Sequence, residues 1–460
     1  MSQYNDGAWI DEYENRHELP ESRKTRDESE LARGGQGAVY RTHDEDLAVK
    51  QPFGSGGARN MHKLFQHIRT LPLPKGIPVS MPLAILRDEP GYVMKLLNGM
   101  KPFSVFSLDG ERRKAMKDED IPAWLAGLAD RRMAQDLTYY AQSGSTRRRF
   151  YALYKCASIL ARLHNAGIVY GDVSENNVFI GDDIPCECWL IDADNMRYEL
   201  PQGGYAVYTP RLGAPEIVQG RDSSRPRTDC WAFAVMAFQM LSLCHPFIGK
   251  KVQQPDDDSG WDADPPADGA PADLDEQAYA GYLPFIDDKD DDSNELPNGG
   301  LQRKMILTPQ LCRLFQETLG AGRIHPHRRP SMAFWALELA RAFDSSVICP
   351  DCHMSIVYRQ DSVICPYCHK PLPGFAVART DKWKMNLVSS GETSFEVLLP
   401  QRLFLPFSFA SGDLPEYRAV VNLVDKTVVP VRGTKPFPKD LSFEFINPGN
   451  HEMTRKDGVE

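Results

Sequence analysis

Between Glu28 and Lys50, apolar and polar positions alternate around a glycine cluster, ESELARGGQGAVYRTHDEDLAVK, a pattern that predicts strands. Residues 58–71, ARNMHKLFQHIRTL, change to helical spacing through Met61, Leu64, Phe65, Ile68 and Leu71. Two short strands are expected at 83–87 and 91–97, and helices near 110–118 and 121–142. The stretch 148–167, RRFYALYKCASILARLHNAG, predicts an amphipathic helix with Leu153, Cys156, Ile159, Leu160 and Leu163 on its apolar face, and Gly167 supplies a C-cap. Residues 228–243, TDCWAFAVMAFQMLSL, are apolar nearly all round and predict a buried helix. Another helix is expected at 331–343, and from Gly374 onward the chain is rich in alternating β-formers, SFEVLLP, LFLPFSFA and YRAVVNLVDKTVVPV.

A chain of 460 residues predicts two to four domains. Residues 1–26 are polar and are expected to form a loosely held arm. The net charge of −10 is local in origin: residues 256–295 hold fifteen Asp or Glu against one Lys, so the rest of the chain is slightly basic. The acidic segment 255–298 therefore predicts a solvated insertion and says little about partners. Its DDKDDDSNE run lacks the glycine and ligand register of a calcium loop. No apolar run is long enough to span a bilayer, and the first residues lack a basic, then apolar, leader, which predicts a cytoplasmic protein. Ten cysteines in a chain this long do not make a secreted disulfide framework; reduced thiols plus one metal site fit them better.

Candidate chemistry begins with LARGGQGAV at 31–39, where glycines let a hairpin lie close over phosphates. Thirteen residues after Gly37, LAVK places Lys50 on an apolar strand, where an ammonium calls for an anion. There follow Asp172 and Asn177 in IVYGDVSENNV, Asp192 in LIDAD, TPRLGAPE at 209–216, Asp229 in TDCWAF and Arg329 in HPHRRPS. This ordered set resembles the protein-kinase family over residues 28–344. The resemblance implies an α+β, bilobal kinase fold, with one lobe over 27–97 and the other over 98–344, and ATP and Mg²⁺ as cofactors. It implies Lys50 at the α/β-phosphates, Asp192 and Asn177 at magnesium, and Asp172 as the residue that orients the attacking hydroxyl and takes its proton. Thr209 would bond the catalytic aspartate and favour Ser/Thr acceptors. Ala32, Gly34, Gly37, Val39, Ala48, Lys50, Met94 and Leu96 would line the nucleotide site, with Met94 as gatekeeper and Lys95–Leu97 as hinge. Glu216, Arg329 and Asp229 would be scaffold, and His164 a packed histidine.

The pattern also departs from the family. Ala32 replaces the first loop glycine, Tyr170, Gly171 and Ser174 replace His, Arg and Lys around Asp172, and LIDAD replaces the Phe and Gly of DFG. No Asp or Glu occurs from Gln51 to Arg87, so the helix glutamate that orients the strand lysine is missing. Gln66 or Asp192 is a candidate substitute. The retained Lys50, Asp172, Asn177 and Asp192 favour an active Ser/Thr kinase; the alternative is a pseudokinase that serves as a nucleotide-binding scaffold.

Residues 349–368, CPDCHMSIVYRQDSVICPYC, place Cys349, Cys352, Cys365 and Cys368 at the spacing of a zinc ribbon. Four thiolates leave no open position, so the Zn²⁺ is expected to be structural, with His353 and His369 as bystanders. Few basic residues with interleaved aromatics lie nearby, which argues against nucleic acid. The ribbon at 345–373 and a β-rich domain at 374–460 are expected to dock a protein substrate. The altered catalytic loop and appended ribbon look similar to a bacterial branch of the family, encoded beside a von Willebrand A protein and a PP2C-type phosphatase in tellurite-resistance-type systems. That likeness implies those two proteins as partners.

Overall fold

A computed structural model describes residues 7–35, 37–53, 58–199, 207–254, 271, 273–297, 299–405 and 415–448. Near its start, strands β1 (Trp9–Ile10) and β2 (Arg16–His17) make a small hairpin. Five more, β3 (Glu30–Arg33), β4 (Gly37–Arg41), β5 (Leu47–Pro52), β6 (Ala84–Ile85) and β7 (Tyr92–Lys95), form an antiparallel sheet in the order β3-β4-β5-β7-β6. Register sets its faces. Val39 lies opposite Lys50, Lys50 opposite Tyr92, and Ala48 opposite Met94, so all five share one face. The other face carries Ala38, Tyr40, Val49 and Val93, all buried.

That outer face is covered by the amino-terminal segment. Trp9 is fully buried against Ala38, Tyr40, Val49 and Val93, and the Arg26 guanidinium lies 4.5 Å over its ring while pairing with Glu89 at 2.7 Å. Buried Asp11 accepts from the backbone of Tyr13 and Asn15, at 2.9 Å each. The loose arm expected over 1–26 is therefore corrected for residues 7–26; one tryptophan and a self-capping turn outweigh the polar average. Residues 1–6 lie outside the described part.

The inner face receives α1 (Ala58–Arg69), with Phe65 edge-on to Tyr92 at 4.8 Å and Ile68 buried beside it. Leu64, expected on this face, is exposed instead. Arg69, at the end of α1, meets Glu12 and Tyr13, so the amino-terminal hairpin also holds the helix.

The following region is helical. α2 (Arg131–Gln142) begins ten residues later than expected, because Asp130 caps it by accepting from Arg132 and Met133 at 2.9 and 3.2 Å. α3 (Ser145–Asn165) ends before Gly167, whose φ of 73° is the left-handed stop. α4 (Pro226–Ser242) is buried on nearly every side, and α5 (Met332–Asp344) packs along α3. Of the acidic segment, residues 255–270, 272 and 298 lie outside the described part. Residues 273–297 are not a solvated loop. Leu283, Phe285 and Ile286 are buried, Phe285 edge-on to Phe238 of α4, and Asn294 donates to the carbonyls of Phe247 and Pro284. A few apolar residues among the acids pull this part onto the helices.

Strands β8 (Ser346–Ile348) and β9 (Ser355–Val357) form a hairpin around the first cysteine pair. It is fixed to the start of α3: Ser355 N donates to Ser145 Oγ at 2.9 Å, and Arg147 N donates to Ser355 Oγ at 2.7 Å. Beyond it, β10 (Phe375–Arg379), β11 (Lys384–Leu387), β12 (Ser394–Pro400), β13 (Pro415–Asn422), β14 (Thr427–Pro430) and β15 (Ser442–Ile446) make two three-stranded sheets, β11-β10-β15 and β12-β13-β14. Within LFLPFSFA, read as strand, Leu403 ends a 3₁₀ turn and residues 406–410 lie outside the described part. No helix among the described residues is long and apolar enough to cross a membrane.

Candidate active site and metal centre

The polar loop that follows α3 is held by Asp229, on the first turn of α4. Its carboxylate accepts from the backbone N–H of Tyr170 at 2.8 Å and of Gly171 at 2.9 Å, and meets His164 Nε2 at 2.9 Å. Tyr170 is buried and donates its hydroxyl to the Ile191 carbonyl. Gly171 has a φ of 89°, and a Cβ there would stand 3.0 Å from the Asn195 carbonyl, so this turn favours glycine where the family resemblance expects arginine.

The loop presents Asp172, which is 7% exposed. Thr209 Oγ1 donates to its Oδ1 at 2.8 Å, while Asn177 Nδ2 donates to its backbone carbonyl at 3.0 Å and to Oδ2 at 3.1 Å. Burial raises the Asp172 carboxyl above its ordinary value; the Thr209 and Asn177 hydrogen bonds oppose that and the Asp192 charge adds to it. Residues far apart in sequence thus fix one carboxylate from two sides.

Lys50 is buried on β5 and reaches two carboxylates of the 192–195 turn. One is Asp192, met through Oδ1; the other is Asp194, whose Oδ2 lies 2.7 Å from Lys50 Nζ and whose Oδ1 accepts from the Tyr92 hydroxyl at 2.7 Å. Burial pulls the ammonium toward neutrality, but the charges of Asp194 and Asp192 outweigh it, and Lys50 stays above its ordinary value. Gln66, the other candidate partner, is exposed on α1. Asp194 is a residue that sequence reasoning missed, although LIDAD prints a second acid beside Asp192.

Asp192 has a φ of 57°, in the left-handed region that aspartate enters more readily than most residues. Asn177 donates its amide nitrogen to Asp172, and among the described residues no hydrogen bond engages its side-chain carbonyl oxygen, which can ligate a cation. Asp192 and Asn177 therefore offer oxygen ligands of the kind that suit a hard cation such as magnesium. Val39, Ala48, Met94 and Leu96 lie on or beside the Lys50 face of the sheet, apolar and at least partly buried. Ala32 and Gly34 are exposed, with open space around Gly34. Gly37 is required for another reason than phosphate approach: a Cβ there would stand 2.5 Å from the Gln51 carbonyl of β5.

The 209–216 segment is anchored by Glu216, which accepts from Arg329 Nη1 and Nη2 at 2.6 and 2.8 Å in a buried bidentate pair.

The second candidate site gathers Cys349, Cys352, Cys365 and Cys368, whose sulfurs all lie within 4.8 Å of one another. Cys349 and Cys368 are 3.6 Å apart, as are Cys352 and Cys365. A tetrahedral ion with bonds of about 2.3 Å would hold its sulfurs at an edge of about 3.8 Å, so the four thiols fit zinc. The two CPxC turns match each other: His353 N donates to the Cys349 carbonyl and His369 N to the Cys365 carbonyl, both at 3.0 Å. Both histidines have positive φ, 57° and 59°, and serve the turn backbone. Burial raises the Cys349 thiol, against the backbone N–H groups of Asp351 and Cys352 that point at it, whereas a hydrogen bond with Cys352 lowers Cys365, aided by the N–H groups of Tyr367 and Cys368.

Comparison with known proteins gives a partial match. A protein kinase C-like protein of Hypocrea jecorina is 32% identical over 124 residues, 26% of this chain and 10% of that protein. Protein kinase C-like 1 of Candida albicans is 32% identical over 124 residues, 25% of this chain and 11% of the relative. Ribosomal protein S6 kinase alpha-2 of Homo sapiens is 31% identical over 109 residues, 22% of this chain and 14% of the relative. Part of the chain is thus related to protein kinases, and the matched stretch spans only about a tenth of these first relatives' length. No family model matches the chain.

Proposed function

We propose that the chain is an ATP-dependent protein kinase of bilobal fold that transfers the γ-phosphoryl group to Ser or Thr of a protein. The observation that carries this reading is the convergence of Lys50, Asp192, Asn177, Asp172 and Thr209, drawn from the sheet and from three separate loops. Asp172 is held by Thr209 and Asn177 and would align the acceptor hydroxyl and take its proton. Thr209 beside that aspartate supports Ser/Thr as the acceptor. Lys50 would meet the α/β-phosphates of ATP, with Val39, Ala48, Met94 and Leu96 against the base. Asp192 and Asn177 would hold magnesium, which supplies charge neutralisation at the phosphates when bound.

The four cysteines are read as a structural zinc ribbon. The ribbon meets the start of α3 and Asp172 follows its end; a helix of 21 residues separates them by about 30 Å. Ribbon and tail are therefore assigned to docking a protein substrate, not to chemistry. A von Willebrand A protein and a PP2C-type phosphatase are the partners that the order of domains suggests.

Labelled ATP with Mg²⁺ tests the reading, comparing wild type with Asp172→Ala and Asp192→Asn. Wild type is expected to label itself or casein, with both variants at least about 100-fold slower. If none of the three transfers phosphate while ATP still raises thermal stability, the chain is a nucleotide-binding scaffold instead.

A further inference from the structure

The 37 residues from Gln51 to Arg87 contain no acid, so α1 offers Lys50 no carboxylate. Lys50 nonetheless meets two, and they are not equivalent. Asp194 has both oxygens committed: Oδ1 accepts from Tyr92 on β7 and Oδ2 meets Lys50 on β5, each at 2.7 Å. Asp192 meets Lys50 through Oδ1, and among the described residues no donor engages its Oδ2. The Asp194 side chain is also the less exposed, at 10% against 18%.

A divalent cation entering this site competes with Lys50 for oxygen, and it competes best for the carboxylate with an oxygen to spare. Asp192 is that carboxylate. Asp194, clamped by donors from two adjacent strands, stays with the lysine. We propose that Asp194 is the positioning residue that holds Lys50 for phosphate binding while Asp192 serves the metal, an inference that rests on the kinase reading.

This arrangement has a consequence for control. Both acids belong to one turn, Asp192 to Asn195, so the lysine contact and the metal contact are made or lost together. α1 does not carry the contact, and Arg69 at its end is tied to Glu12 of the amino-terminal hairpin. Switching would act on the turn, against which α1 also packs.

The test compares Asp194→Asn, Asp194→Glu and Asp192→Asn with wild type in the full chain, using MgATP and casein. Asp194→Asn keeps an acceptor for Tyr92 and removes the charge. It is expected to lower kcat on the order of 100-fold with an unchanged Mg²⁺ requirement, and Asp194→Glu to recover at least about tenfold of that. Asp192→Asn is expected to raise the Mg²⁺ concentration needed for half-maximal rate. The proposal is overturned if Asp194→Asn keeps kcat within about twofold of wild type, or if it shifts the Mg²⁺ requirement as Asp192→Asn does. Were wild type to transfer no phosphate, the kinase reading would fail, and binding would decide the role of Asp194. Loss of ATP affinity by about tenfold with adenosine affinity unchanged would uphold it; unchanged affinity for both would refute it.

Discussion

Asp344, the last residue of α5, accepts from Arg402 Nε and Nη2 at 2.7 Å each, and neither side chain is more than 6% exposed. The same carboxylate accepts from Trp383 Nε1 at 2.7 Å. One acid therefore ties the β-rich tail to the helical body. Removing one partner of a buried pair strands the other charge, at a cost of about 3–5 kcal/mol. Arg402→Ala is expected to lower thermal stability clearly and to make the tail cleavable from the body in limited proteolysis. A variant with wild-type melting and wild-type resistance would show that the pair does not hold the tail.

The cysteine cluster predicts about one zinc per chain in elemental analysis of the purified protein, and loss of that zinc in Cys365→Ser. A ribbon this small depends on its ion for folding. Yet it contacts the start of α3, at the far end from Asp172. Cys365→Ser is therefore expected to melt earlier than wild type while still gaining stability on addition of MgATP. A variant that retains the metal would point to other ligands.

How much of this was legible in sequence depends on the kind of signal. Periodicity placed α1 and α3 to within a few residues, because a buried face must repeat, and a run apolar on all sides placed α4 as closely. The paired cysteines predicted a cluster because spacing alone brings their thiols together. Asp194 was missed because its meaning comes from Lys50 and Tyr92, which are 144 and 102 residues away. Trp9 was missed because a single tryptophan does not change the average polarity of 26 residues, though it covers one face of a sheet. Leu283, Phe285 and Ile286 were hidden in the same way among acids. Gly171 could be noted as a departure, but its reason, a positive φ beside Asn195, is a fact of backbone geometry.

Trp9 supplies a direct test of the amino-terminal cover. It is fully buried, and Arg26 stacks on its ring. Trp9→Ala should cost about 3–5 kcal/mol through lost burial and the cavity left behind. Chemical denaturation should show the midpoint falling, and deletion of residues 1–19 should have at least as large an effect. A change below about 1 kcal/mol would mean that the hairpin is held elsewhere.

His164 and Asp229 make stability depend on pH in a defined window. Burial alone would lower the imidazole pKa, but the hydrogen bond to Asp229 outweighs it and raises His164 to about 9 from an ordinary 6.5. A group whose folded pKa is raised stabilises the fold while protonated. Its contribution is fully present below about 6.5 and fades as pH rises through about 9. The shift corresponds to something on the order of 3 kcal/mol at most. His164→Gln cannot carry the charge, so its melting temperature should lie furthest below wild type near pH 6. The gap should narrow by pH 10, as wild type loses the imidazolium. Because Asp229 also holds the N–H groups of Tyr170 and Gly171, the loss should be felt at Asp172 as well as in the fold. A gap that is constant with pH, or that widens toward pH 10, would show that the histidine is neutral in the folded chain.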